Sequence, residues 1–259
     1  MAKRNLRKTP PARSERGSDR STGFFALILG CFFVSGLTGL VYEILWTRML
    51  VEIIGGAPFS VSIILTVFMG GLGLGSYLAG RCIDRVETPA TLIKLYGALE
   101  LVIGLYAGLI PVLLSAFKPL QSLIYNNLYA HFLTYNLLTF LLCAVILCVP
   151  VVCMGATLPI LCRFYVDRMA KVGVHAGRLY GLNTIGAAAG SLLCGFWLLQ
   201  WWGVPGTMAF AVATNSVIGL ACLLVAFKVQ IPDGVRAAKR FKPRQPGIGD
   251  ESPASPVER

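Results

Sequence analysis

The amino-acid sequence predicts an all-α integral membrane protein of six transmembrane helices. Three observations carry that prediction. Hydrophobic residues make up 56% of the chain and charged residues only 14%, whereas soluble domains carry roughly 25% charge. The charges fall in short clusters separated by long uncharged runs. Each run reaches the roughly 20 helical residues, at about 1.5 Å each, needed to cross a bilayer core of about 30 Å. The runs lie near 23–47, 57–80, 91–114, 132–157, 178–200 and 204–227. They divide the chain into a basic tail (1–21), a six-helix membrane domain (22–231) and a second tail (232–259).

The tails are rich in Arg, Lys, Pro, Ser and Glu and nearly empty of apolar residues. Such a composition cannot bury enough surface to offset chain entropy, so both are expected to be disordered. The first span follows a basic N-terminus, runs about 25 residues and lacks a small-residue cleavage pattern. It reads as a retained helix rather than a signal peptide. Glu43 lies about 30 Å along it, near the outer interface, on a face with Gly36, Gly39 and Thr47. It either pairs with Arg48 or a neighbouring helix, or belongs to a substrate or cation site. Arg48 and Glu52, one turn apart, are expected to pair at the surface.

The second span ends in "MGGLGLGSYLAGRCIDR" (69–85). Gly71, Gly75 and Ala79 are spaced by four, as are Ser76 and Gly80, a pattern that lets two helix backbones approach closely in lipid. A phosphate-binding loop is excluded because no strand precedes the glycines. In the third span Glu100 lies nine residues past Thr91, about 14 Å deep. A carboxylate at that depth costs about 2.5–3.5 kcal/mol, so it is expected to face protein or water. Ile93, Tyr96, Gly97, Gly104, Ala107 and Pro111 share its face, and Leu95, Val102, Leu105 and Leu109 lie opposite. Two readings stay open: a carboxyl hydrogen-bonded to Tyr96 or Asn183 that holds helices together, or a cation or proton site.

Residues 115–131, "SAFKPLQSLIYNNLYAH", alternate apolar and polar types and predict an amphipathic helix resting at the outer interface. The fourth span is uncharged from His131 to Cys162, with Pro150 and Pro159 inside it. Those prolines predict a bend near 146–150 and a second short segment at "MGATLP". The fifth span, "GRLYGLNTIGAAAGSLLCG", pairs Gly177 with Gly181 and Gly186 with Gly190 at the same spacing of four. Asn183 shares a face with Ala176, Ala187, Gly190 and Cys194, while Ile185, Leu192, Phe196 and Leu199 fall opposite. Its amide is read as an interhelical hydrogen bond or a substrate contact.

Of the 23 Lys and Arg residues, 21 fall on one side of these spans, leaving Arg48 and Lys118 for the other. The positive-inside bias then places both termini in the cytoplasm, in keeping with an even number of spans. The net charge of +11 is thus juxtamembrane; it suits anionic lipid and requires no nucleic acid. The eight cysteines form no CxxC pair and read as small packing residues, with no metal site. His131 and His175 sit at span ends, in solvated or capping positions.

Two family resemblances follow from these segments. "GRCIDRV" resembles the cytoplasmic loop motif of the major facilitator superfamily at Gly80, Asp84 and Arg85. Glu87, Thr88 and Pro89 replace that motif's later glycine and paired basic residues. More specifically, "SGLTGLVYEILWTRML", "FMGGLGLGSYLAGRCIDR", "LYGALELVIGLY", "MGATLPIL" and "GRLYGLNTIGAAAGSLLCGF" occur in this order. Across about 24–228 they resemble the membrane-embedded N-terminal part of the bacterial fused major facilitator/spermidine synthase family. That resemblance implies a bundle like half of a major facilitator, in the bacterial inner membrane. In the family, a cytosolic aminopropyltransferase-like domain follows the membrane helices. Here 31 residues follow Lys228, too few for such a sheet, so the chain alone is expected not to transfer aminopropyl groups.

The leading expectation is a transporter-like module handling polyamine-type cations, with Glu100, Glu43, Asn183 and Tyr96 as its binding residues. The alternative is a membrane anchor docking a separately encoded spermidine synthase-like enzyme. No catalytic residue and no cofactor is expected, because no HExxH, GxSxG-type turn or paired Asp motif lies in the spans. Besides the bilayer, the expected partner is a second copy or another membrane chain, since the faces of Gly71 with Gly75 and of Gly186 with Gly190 would otherwise meet lipid.

Overall fold

The computed structural model describes residues 15–86, 88–165 and 172–228, with backbone alone for 15–25, Ala57, Val172, His175 and Lys228. The described chain is helical and contains no strand. α1 (Glu15–Ile54), α2 (Ala57–Ile83), α3 (Pro89–Leu128) and α4 (Phe132–Tyr165) are followed by α5 (Val172–Leu193). A five-residue π-helical segment (Cys194–Leu198) leads into α6 (Leu199–Lys228). Pro58 and Pro89 sit in the first turns of α2 and α3, where a missing N–H breaks no intrahelical bond.

Among the described residues five helical stretches are long and apolar enough to cross a membrane: Ala26–Ile54, Pro58–Ile83, Pro89–Leu128, Phe132–Tyr165 and Ala176–Phe227. The last has 52 residues, about 78 Å if straight, and it is not straight. Gly203 breaks it with φ 62° and ψ −171°, a backbone region that glycine enters without the penalty of a Cβ. Contact registers give the direction on either side. Phe32 meets Tyr96 and Ser35 meets Glu100, so α1 and α3 run parallel. Gly186 lies on Phe33 and Gly190 on Leu37, so α5 is parallel to α1. Gly97 faces Cys222 and Gly104 faces Val212, so α6 is antiparallel to α3. The chain therefore reverses between α5 and α6.

Three expectations change. α3 continues for 40 residues, about 60 Å, without ending near 114. Its distal part does not rest separately at an interface, because Phe117, Gln121 and Ile124 are buried and Gln121 bonds to α4 through Tyr135. The amphipathic face found α4 instead of the membrane surface. α4 runs unbroken through Pro150 and Pro159, so "MGATLP" forms no separate segment. The expected disordered tails lie outside the described residues, apart from 15–21, which α1 includes.

Small residues set the helix spacing. A Cβ on Gly75 would strike the backbone of Val152 and Ala156, one on Gly71 the Val151 side chain, and one on Gly155 the backbone of Leu72. Gly186 and Gly190 meet the Phe33 and Leu37 backbones in the same way. Gly71, Gly75, Gly186 and Gly190 are therefore packed against helices of the same chain rather than left facing lipid. Gly177 and Gly181, by contrast, have open space where a Cβ would stand.

The buried side chains form two apolar clusters. One is built around Tyr42, Trp46 and Ile103, the other around Phe32, Tyr96 and Cys222. On α3, Tyr96 belongs to the second and Ile103 to the first. Glu100 falls between them.

Candidate functional site

The helical wheel of α3 places Glu100 inward, and the structure agrees. Tyr96, Gly97, Gly104 and Ala107 are buried with it, while Leu105 on the opposite face is 69% exposed. Glu100 itself has no exposed surface. Its Oε1 accepts a hydrogen bond of 2.6 Å from the Ser35 hydroxyl on α1. Its Oε2 accepts one of 2.8 Å from the Asn215 amide on α6. The Asn215 carbonyl in turn accepts a longer bond of 3.5 Å from the Tyr42 hydroxyl. Three helices are thereby tied to one carboxyl group.

Tyr96 stands one turn before Glu100, with Phe32 edge-on to its ring at 6.4 Å. Its hydroxyl is fully buried beside the carboxyl yet makes no hydrogen bond of good geometry. The thiols of Cys31 and Cys222 face each other across α1 and α6 in the same region. Among the described residues no basic side chain pairs with Glu100; the ion pair they contain joins Lys118 and Glu52 at 3.0 Å. A buried carboxyl held only by neutral donors can bind a proton or a cation, the two ways of compensating its charge.

The other expected site residues do not join this group. Asn183 belongs to the crossing of α5 with α1, where its backbone and side-chain oxygens press on Gly36. Among the described residues its side chain makes no hydrogen bond to Glu100 or across the interface. Asn215 occupies the expected role. Glu43 is half-buried on α1, and no hydrogen bond or ion pair of its carboxyl is formed among the described residues. Among the described residues the expected pairs of Arg48 with Glu52 and with Glu43 are not formed; Glu52 pairs with Lys118 on α3 instead. At the end of α2, Gly80, Asp84 and Arg85 are exposed. Asp84 caps the helix through its backbone N–H to Cys82, and Arg81 lies 4.4 Å over the Tyr77 ring. His131 is exposed in the α3–α4 turn; the His175 side chain lies outside the described residues.

Sequence reasoning missed Ser35, Tyr42 and Asn215. The available signal was chemical: each is a hydrogen-bonding residue inside an otherwise apolar span, where an unpaired polar group is costly. It also missed the clip between α3 and α4, where Gln121 donates to the Tyr135 hydroxyl at 2.9 Å and accepts from Thr139 at 3.4 Å.

The comparisons with known proteins are sparse. No family model matches the chain, and no solved structure matches it. The sequence is distantly similar to a polyamine aminopropyltransferase. It is 28% identical over 204 residues to polyamine aminopropyltransferase 2 of Streptomyces coelicolor, a match covering 78% of this chain and 34% of that protein. The chain thus spans about a third of the curated relative it matches.

Proposed function

We propose that the chain is a transporter-like, polyamine-related membrane module that crosses the bacterial inner membrane six times with both termini in the cytoplasm. The 52-residue stretch counts as two crossings in this reading, supported by the reversal between α5 and α6. The bundle is then equivalent to half of a major facilitator. The observation that carries the functional reading is Glu100: a carboxyl without a basic partner, held by α1, α3 and α6 inside the bundle. Polyamine-type cations are assigned as its cargo because of the similarity to polyamine aminopropyltransferase 2. The negative carboxylate provides the charge that such cations require.

The test is uptake of a labelled polyamine into proteoliposomes containing the purified full chain. Accumulation above protein-free vesicles that is lost in Glu100→Gln supports the reading; equal accumulation in both overturns it. One observation favours a second reading. The match covers 34% of an aminopropyltransferase, and in this reading the chain is a membrane part that docks a synthase-like enzyme through its cytoplasmic loops. Co-purification of such an enzyme with the chain, lost when Asp84 and Arg85 are replaced, would select it.

A further inference from the structure

We infer that Glu100 is a reversible proton-binding site in which the Tyr96 hydroxyl is the donor recruited when the carboxyl loses its proton. The inference deepens the cation reading above and rests on the same carboxyl group.

The hydrogen-bond inventory carries it. As a carboxylate, Glu100 accepts from Ser35 through Oε1 and from Asn215 through Oε2. A carboxylate has room for further donors. The buried Tyr96 hydroxyl stands one turn away beside the carboxyl without a well-formed hydrogen bond among the described residues, and rotation about its C–O bond positions it to supply one. As a carboxylic acid, Glu100 places its O–H on the Ser35 oxygen and keeps its carbonyl on Asn215. The Ser35 hydroxyl can then donate to a carbonyl one turn earlier in its own helix, as serines in helices do. Asn215 stays in place in both states, with Tyr42 on its carbonyl. Two hydroxyl rotations therefore give the carboxyl group its partners in either state without moving a helix.

A carboxylate built to stay ionised inside an apolar bundle would need a basic partner. None is present. Among the described residues, the titratable groups facing Glu100 are the phenols of Tyr42 on α1 and Tyr96 on α3 and the thiols of Cys31 on α1 and Cys222 on α6, none of which can carry a positive charge. The proton is exchanged with water: the O–H bond breaks on release, its electron pair stays on the carboxyl oxygen, and the reverse step restores the acid.

The experiment is infrared difference spectroscopy of the full chain in lipid vesicles across a pH series. The expected result is a protonated-carboxyl C=O stretch present at low pH and lost at high pH, absent from Glu100→Gln and retained in Glu43→Gln. Asn215→Leu should move the band to higher frequency, since the carbonyl loses its donor. Tyr96→Phe should change the pH at which the band is lost, whereas Tyr77→Phe should not. If Glu100→Gln does not fold, Glu100→Asp must displace the band. A band absent at every pH, one that never titrates, or one that survives in Glu100→Gln overturns the inference. A titrating band in a chain that moves no polyamine keeps the proton site and rejects the transport reading; transport without such a band does the reverse.

Discussion

Replacing Gly75 by Ala should loosen the α2–α4 contact, while the same change two residues earlier should not. A Cβ on Gly75 would stand 2.9 Å from the Val152 carbonyl carbon and 3.0 Å from the Ala156 nitrogen, and closer still to the Val152 oxygen. All three are backbone atoms, so no side-chain rotation relieves the clash and the helices must separate. Overpacking of this kind costs about 1–3 kcal/mol. At Gly73 nothing lies within 4 Å of the added atom, and the gain in helix propensity of Ala over Gly is roughly 0.5–1 kcal/mol. The two variants should therefore differ by about 1.5–4 kcal/mol, in opposite directions from wild type. Reversible unfolding in detergent or bicelles, followed by circular dichroism or a steric trap, measures the difference. Equal stability of Gly75→Ala and Gly73→Ala would refute the close backbone contact and the fold built on it.

Other outcomes follow from single contacts. Asn215→Leu keeps roughly the same shape but removes the donor to Glu100 and the acceptor for Tyr42; unfolding should show a loss of about 1–3 kcal/mol. Lys118→Ala breaks a pair whose side chains are 50% and 72% exposed; its effect should stay within about 1 kcal/mol and vanish in high salt. Gln121→Leu removes the donor to the Tyr135 hydroxyl and the acceptor for the Thr139 hydroxyl in the α3–α4 clip; it should cost about 1–3 kcal/mol in the same unfolding assay. Cys82 is exposed at the end of α2 and should react with an impermeant maleimide only from the cytoplasmic side of sealed vesicles. Labelling from outside would invert the proposed topology.

Composition and periodicity alone determined that the chain is helical and apolar enough for a membrane, because every backbone polar group must be paired inside lipid and a helix does this locally. They also determined which way Glu100 points. A helix repeats every 3.6 residues, so Tyr96, Gly104 and Ala107 had to share its face and Leu105 had to oppose it. Only the tertiary structure decided what stands across from that face. Ser35 and Asn215 are 65 and 115 residues away along the chain, and local periodicity carries no information about which helix comes to lie opposite. The same limit separated Asn183 from Asn215, two amides in apolar spans that the sequence could not rank. It also separated Gly75, pressed against α4, from Gly73, which meets open space. Continuation of α3 past 114 was decided in the same way: an amphipathic segment states that one side seeks apolar surface, and the packing of α4 supplied that surface before the membrane interface could.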